Sequence, residues 1–326
     1  MAVRRNISQK DLLAEDKKTP AEKAADEENR SIPDDVPAKE KKKKEKSHII
    51  PVSDTNEYPE NEDEHMMESN TFLDVVFDEN FEYIIRNPIK KFFGCLLWMF
   101  GMTLLPIVTF FMYGFKVKNK KYIRRIIKSG SGAITVSNHV HMMDCVMACQ
   151  TNWPKMSYLP TLHTTFQLPY VRHIVHLLNA FPIPNTTSGT KKFIEEMNGL
   201  LQRGKFVHFF PEGALWPWYD KIRTFKPGAF HFAVKNNVPV IPLAIKYRPR
   251  KLTRIFSKHP LVSIEVLPPV YPNAELPTKM SVYDLTQRVH DAIAQCVEFN
   301  NEKYFSPKIK KKRFWQRSPK EEAQND

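Results

Sequence analysis

The chain has 326 residues, enough for one sizeable domain with appendages, and carries 49 Lys and Arg against 36 Asp and Glu, a net charge of +13. The charge is segregated: residues 1–70 hold 13 basic and 18 acidic residues, and subtracting these from the totals leaves 36 and 18 for the rest, a net of +18. The four cysteines (Cys95, Cys145, Cys149, Cys296) show neither CxxC spacing nor a dense disulfide pattern, and reduced thiols in the cytosol are the simpler reading, while so basic a body turns attention to phosphates on nucleic acid, an anionic membrane or a small molecule.

Residues 1–70 mix Lys, Glu, Asp, Pro and Ala with almost no aromatic residues, and include the run Lys41-Lys42-Lys43-Lys44-Glu45-Lys46. Such a segment buries too little apolar surface to offset its chain entropy and predicts a disordered charged tail. The first apolar run lies about ninety residues in, too late for a signal peptide. From Phe92 to Phe115 there are 24 residues without a charge, the centre of a membrane-associated helical segment over 71–120. At about 1.5 Å per residue such a helix outreaches the roughly 30 Å hydrocarbon core. Arg86, Lys90 and Lys91 precede it and Lys116, Lys118, Lys120 and Lys121 follow it, so both ends are drawn to the cytoplasmic side. Pro106 lies inside the run and is expected to split it into two short helices that dip in and return, in preference to a single crossing.

From 121 to 305 short β-like runs (133–137, 156–159, 205–210, 238–246, 262–267) alternate with amphipathic stretches (141–150, 168–178, 190–202, 228–236) before a last helix over 282–304. Alternation of this kind predicts an α/β domain: a mostly parallel sheet flanked by helices on both faces. The basic tail, 306–326, mixes cations with Phe314 and Trp315, the composition of an interfacial anchor and also of a nucleic-acid patch.

The sharpest chemical feature is Ser137-Asn138-His139-Val140-His141-Met142-Met143-Asp144, where a β run gives way to a helix. Side chains there sit at the carboxyl edge of a strand, where α/β sheets place their ligands. Five residues of separation let the Asp144 carboxylate curl back onto one imidazole nitrogen of His139, leaving the other as a general base. That is the base-and-orienter pair of a triad, with the substrate hydroxyl in place of the serine. Two other readings stand beside it: Asp144 as a helix cap, and His139 with His141 as an HxH metal pair. The second feature, Phe209-Phe210-Pro211-Glu212-Gly213, also closes a β run, about seventy residues later in the same βαβ context.

Together these residues resemble the glycerolipid acyltransferase superfamily, whose bacterial members acylate lysophosphatidate. Asn138, His139 and Asp144 match its N-H-x4-D block. Phe210, Pro211, Glu212 and Gly213 match F-P-E-G, and Val238, Pro239, Val240 and Pro242 match V-P-[VI]-x-P. The stretch Phe225 to Phe230 looks like the family's segment between those last two blocks, and the resemblance covers roughly residues 80–300. It implies a fold lying on the cytoplasmic face of the cell membrane, with His139 as base and Asp144 as orienter. Asn138, Glu212, Gly213, Arg223 and Lys226 are the expected substrate-binding residues.

The donor it implies is acyl-CoA or acyl carrier protein, and the acceptor a lysophospholipid, 1-acylglycerol-3-phosphate first. Membrane lipids are the expected surroundings, with no metal, no further cofactor and no nucleic acid. Two departures bear on the acceptor. The second block, Ala180-Phe181-Pro182-Ile183-Pro184-Asn185, lacks the family's arginine, and Glu212-Gly213 is followed by Ala214-Leu215-Trp216 where the family has Thr-Arg. A buried phosphate without cations is costly, so either Lys191, Lys192, Arg223 or Lys226 stands in, or the acceptor's phosphate stays outside the pocket. Trp216 and Trp218 are candidate walls of an acyl channel, with aromatic packing within the loop as the equal alternative. The rival readings are a metal-dependent hydrolase built on His139, His141 and Asp144, and a non-enzymatic basic binder of membrane or nucleic acid.

Overall fold

The structure is a computed structural model that describes residues 58–62, 64, 75–249 and 260–305, with the side chains of 302–305 left aside. The tails called over 1–70 and 306–326 therefore lie outside the described residues, apart from 58–62 and 64.

The apolar run forms one helix, α1 (Pro88–Tyr113). Asn87 caps its start by accepting from the N–H groups of Ile89 and Lys90, Pro88 occupies the first turn, and Gly114 ends it with φ 55°. Its 26 residues span about 39 Å. The break expected at Pro106 does not occur, and the helix runs through it. Tertiary contacts on both sides of the proline hold it. Trp98 stacks on Trp153 at 4.8 Å between centroids, and Thr109 Oγ1 donates to Gln150 Oε1 at 3.1 Å. One stripe of α1 is buried, through Gly94, Trp98 and Thr109. Phe92, Phe93, Phe100, Ile107 and Phe111 are exposed, Phe111 by 75 %.

Then follow β1 (Lys116–Lys118), α2 (Lys121–Ser129), β2 (Ala133–Ser137), α3 (Asp144–Asn152), β3 (Ser157–Thr161), α4 (His163–Phe166), α5 (Val171–Leu177), β4 (Ala180–Pro182), α6 (Thr187–Gln202), β5 (Phe206–Phe209), α7 (Gly228–Asn236), β6 (Val240–Arg248), β7 (Leu261–Val266) and α8 (Thr278–Phe305). Among the described residues the strands form one seven-stranded sheet, ordered β1-β7-β6-β2-β5-β3-β4. Every neighbouring pair is parallel except β6 with β7. The expected mostly parallel sheet flanked by helices is thus the fold observed. Strands β1 and β4 and helix α2 escape a pattern reading because they are short or charged, and the stretch expected as a helix over 168–178 is the shorter α5, preceded by α4.

Alternating residues of the central strands feed two cores, as a sheet covered on both faces requires. Ile134, Val136, Val207 and Ala244 pack with Phe193, Met197 and Leu200 of α6, Phe230 of α7 and Leu285 and Val289 of α8. Ala133, Phe206, Ile241, Leu243 and Ile245 pack with Ile123 and Ile126 of α2 and Met147 and Ala148 of α3. Strand β2 lies between β5 and β6 at the centre of the sheet. The loops leaving β2 and β5 therefore emerge side by side at one edge.

Candidate active site

Strand β2 ends at Ser137, and Asn138 fastens its end. The Asn138 side chain donates to the Ile245 carbonyl at 3.1 Å and accepts from the Ile245 N–H at 2.9 Å, extending the β2–β6 pairing by one amide. Beyond that clamp the chain turns outward and presents His139. Helix α3 begins at Asp144, whose carboxylate sits at the positive end of the helix. His139 Nδ1 donates to Asp144 Oδ2 at 2.6 Å, and the His141 N–H approaches the same oxygen at 3.4 Å. The Asp144 side chain is 1 % exposed and that of His139 22 %. One imidazole nitrogen is thus tied to a buried carboxylate, and the ring is open to solvent on its other side. A pair of this kind fixes the imidazole tautomer and stabilises the charge the ring gains on taking a proton.

The loop after β5 supports the histidine from beneath. Glu212 Oε2 accepts from the His139 N–H at 3.2 Å and from Arg223 Nη2 at 2.6 Å, and Oε1 accepts from the Arg223 N–H at 3.4 Å. Burial raises the Glu212 carboxyl above the usual range, opposed by the Arg223 guanidinium and the His139 N–H. Arg223 also donates to the Ala214 carbonyl and lies over the Trp216 ring, 4.4 Å from its centroid. The Trp216 and Trp218 N–H groups return to the carbonyls of His139 and Val140 at 3.1 and 2.8 Å, and the Tyr247 hydroxyl donates to Val140 at 3.0 Å. The His139 turn is thereby held at its backbone from the long loop after β5 and from strand β6.

Phe210 stacks on His139 with centroids 4.0 Å apart and meets His208 edge-on at 4.6 Å. His208 lies within β5, with Nδ1 2.9 Å from Thr135 Oγ1 and Nε2 3.4 Å from Ser137 Oγ. Asn152 extends the network by donating to Thr135 Oγ1 and to Ser157 Oγ. Burial pushes His208 down to about 3, with His139 adding to the shift, so this imidazole is neutral at neutral pH. Its sequence signal was a lone polar residue inside an apolar run.

Gly213 takes φ 81°, and a Cβ there would lie 2.8 Å from Lys226 Nζ, so the exposed Lys226 side chain crosses directly over this turn. His141 faces away from His139: its Nδ1 accepts from the Met143 N–H at 3.0 Å, and its ring lies between Tyr113 and Trp218. Among the described residues no group of three or more metal-ligating side chains converges. Cys145 and Cys149 are pushed up to about 12 by burial, which removes them as nucleophiles at neutral pH.

The acyltransferase family model matches residues 114–246, the span that holds β2, β5 and both loops. The 1-acyl-sn-glycerol-3-phosphate acyltransferase of Escherichia coli is 28% identical over 191 residues, 57% of this chain and 71% of the relative. Its counterpart from Salmonella typhimurium is 27% identical over the same shares. The match and these relatives bear out the resemblance to the glycerolipid acyltransferase superfamily. It is an acyltransferase, and the names of these relatives support a role in phospholipid synthesis. A solved 1-acyl-sn-glycerophosphate acyltransferase from Thermotoga maritima aligns with a TM-score of 0.47 at 19% identity, over 67% of this chain and 84% of that one.

Within the acyltransferase, the residues expected to bind substrate divide into two groups. Asn138, Glu212 and Arg223 are buried and engaged by protein partners, so the geometry gives them a framework position where the sequence reading expected substrate contact. Gly213 and Lys226 remain at the surface of the turn. Lys192 is drawn to Glu195 and Glu196 on α6. Trp216 and Trp218 pack within an aromatic cluster with Tyr58, Tyr219, His141 and Tyr247.

That cluster includes a segment the sequence reading assigned to the tail. Tyr58 stacks on Trp216 at 5.5 Å and donates to the Pro217 carbonyl at 3.0 Å. The Glu62 carbonyl accepts from Arg223 at 3.1 Å, and the Glu64 carbonyl accepts from Trp216 Nε1 at 2.8 Å. The acidic run from Glu60 to Glu64 gave no sign of this docking.

Proposed function

We propose that the protein moves a fatty acyl group from acyl-CoA or acyl carrier protein to the free hydroxyl of a lysophospholipid at the membrane surface, with 1-acylglycerol-3-phosphate as the first acceptor. The observation that carries this reading is the 2.6 Å contact between His139 Nδ1 and the buried Asp144 carboxylate, on a ring left 22 % exposed at the sheet edge. His139 Nε2 removes the proton from the acceptor hydroxyl as that oxygen attacks the thioester carbonyl carbon. The tetrahedral adduct collapses with cleavage of the carbon–sulfur bond, and the departing thiolate takes the proton from the imidazolium. Ester and free thiol are the products, and the histidine ends as it began. No cofactor enters beyond the donor.

Asp144 keeps the ring oriented and offsets its transient charge. Lys226, exposed above the Gly213 turn, is the cation best placed for an acceptor phosphate, because Arg223 is consumed by Glu212. Relatives named as acting on 1-acyl-sn-glycerol-3-phosphate support this acceptor. Helix α1, long and apolar enough to cross a bilayer and 11% buried in its most apolar window, supports a site at a membrane surface, and the lysines flanking it are the ground for the cytoplasmic face.

The test is incubation of the purified protein with acyl-CoA and a panel of lysolipids, following thiol release and lipid product together. Matched release and acylation are expected, and both vanish in His139→Ala with its unfolding transition retained. Thiol release without acylated lipid, or normal turnover by a folded His139→Ala protein, refutes the reading.

A further inference from the structure

At the edge of the sheet opposite His139, where β3, β4 and β5 begin, lies a hollow of about 620 Å³. Five cations line it from separate parts of the chain: Arg86 ahead of α1, Lys90 and Lys91 in its first turn, Arg203 after α6 and Lys205 before β5. One carboxylate, Glu196, shares the lining. It accepts from Arg86 at 2.6 Å and also faces Lys192 at 3.6 Å, so its charge is already shared. Lys90 lies 3.4 Å from Glu82. Lys91, Arg203 and Lys205 have no ion-pair partner among the described residues. Gathering five cations around one hollow costs repulsion that a bound anion removes.

The nature of that anion follows from the helix that forms one wall. Gly94 presses α1 against α5 so closely that a Cβ would meet the Leu177 carbonyl at 2.5 Å, which fixes the first turns of α1 at the rim. Those same turns expose Phe92, Phe93 and Leu96, by 65, 56 and 55 %. A cationic hollow beside an exposed apolar face matches an amphiphile, with phosphate for the lysines and arginines and chains for the phenylalanines.

We propose that this hollow is a headgroup site for an anionic phospholipid, distinct from the acyl-transfer site, with the lipid chains lying along the exposed face of α1. The proposal rests on the membrane-surface part of the functional reading and is independent of the acceptor. The lipid in this site is not a substrate. It anchors the base of α1 and makes attachment depend on the anionic content of the membrane.

The test is co-sedimentation of the full-length protein with vesicles of phosphatidylcholine alone and of phosphatidylcholine mixed with phosphatidylglycerol. Lys91→Gln/Arg203→Gln/Lys205→Gln is compared with the control Lys221→Gln/Lys235→Gln/Lys279→Gln, which removes three exposed cations elsewhere. The first set is expected to lose on the order of 100-fold in affinity for the anionic vesicles. It should keep its affinity for neutral vesicles and its acyl transfer to substrate in detergent micelles. Equal losses in both sets, or none in the first, overturn the site in favour of diffuse attraction. Wild-type binding that ignores phosphatidylglycerol overturns it while leaving the membrane reading intact, and no binding to either vesicle overturns both. Short-chain phosphatidylglycerol should compete with the anionic vesicles. Competition by inorganic phosphate at the same concentration overturns the lipid assignment in favour of a free-anion site.

Discussion

Replacing Glu212 by Gln isolates the electrostatics beneath the active-site turn. The Glu212 side chain is 0 % and that of Arg223 1 % exposed, with 2.6 Å between Oε2 and Nη2. Glutamine keeps the shape and still accepts from the His139 N–H, so the change is one charge removed from beside a guanidinium with no water to turn to. Breaking a buried pair from one side costs about 3–5 kcal/mol. For a domain of this size each kcal/mol shifts the midpoint by about 2–4 °C, so thermal unfolding followed by circular dichroism should fall by roughly 6–20 °C. The double variant Glu212→Gln/Arg223→Met removes both charges and should regain most of that loss. Its turnover should stay low, because Arg223 also holds the Ala214 carbonyl and the Trp216 ring in the segment that anchors His139 and Val140. A Glu212→Gln protein within about 1 kcal/mol of wild type, or a double variant less stable than either single one, would show that the pair does not carry a buried charge balance.

Asp144→Asn should lower kcat by about 10²–10⁴-fold with lysolipid binding retained, as read from initial rates and equilibrium binding to a non-hydrolysable donor complex; unchanged kcat contradicts the orienting role. His208, held down to about 3, stays neutral in the native state while its unfolded counterpart titrates near 6.5. The unfolded chain alone gains that proton as pH falls from about 6.5 toward 3, so the contribution is complete above this window and declines through it by about 1.4 kcal/mol per unit. Denaturant titrations at about pH 7 and pH 5 should therefore show a smaller loss for His208→Gln than for wild type, and equal losses would count against this assignment. Tyr58→Ala should cost about 1–3 kcal/mol and lower kcat more than it alters KM, and Tyr58→Phe, which keeps both ring contacts, should restore most of each. Rates and unfolding midpoints equal to wild type in Tyr58→Ala would mean that residues 58–64 do not brace the loop.

The sequence by itself determined the reaction class, because the chemistry rests on short-range spacing. His139 and Asp144 are five residues apart across a strand-to-helix turn, and that alone brings imidazole and carboxylate together. The alternation of strands and helices likewise dictated a mostly parallel sheet, since each strand must be buried on both faces. Tertiary structure decided whatever depends on partners remote in sequence. Asn138 bears the signature of a site residue, yet its amide is spent on Ile245, 107 positions away. Arg223 looked available for a phosphate until the fold buried it against Glu212, with both side chains at most 1% exposed. Pro106 argued for a broken helix, and contacts from Trp153 and Gln150 kept α1 whole because a few lateral contacts outweigh one missing N–H bond. Residues 58–62 and 64 and the cationic hollow follow the same logic: their partners lie up to 162 positions apart in the chain, and only the assembled fold brings them within reach.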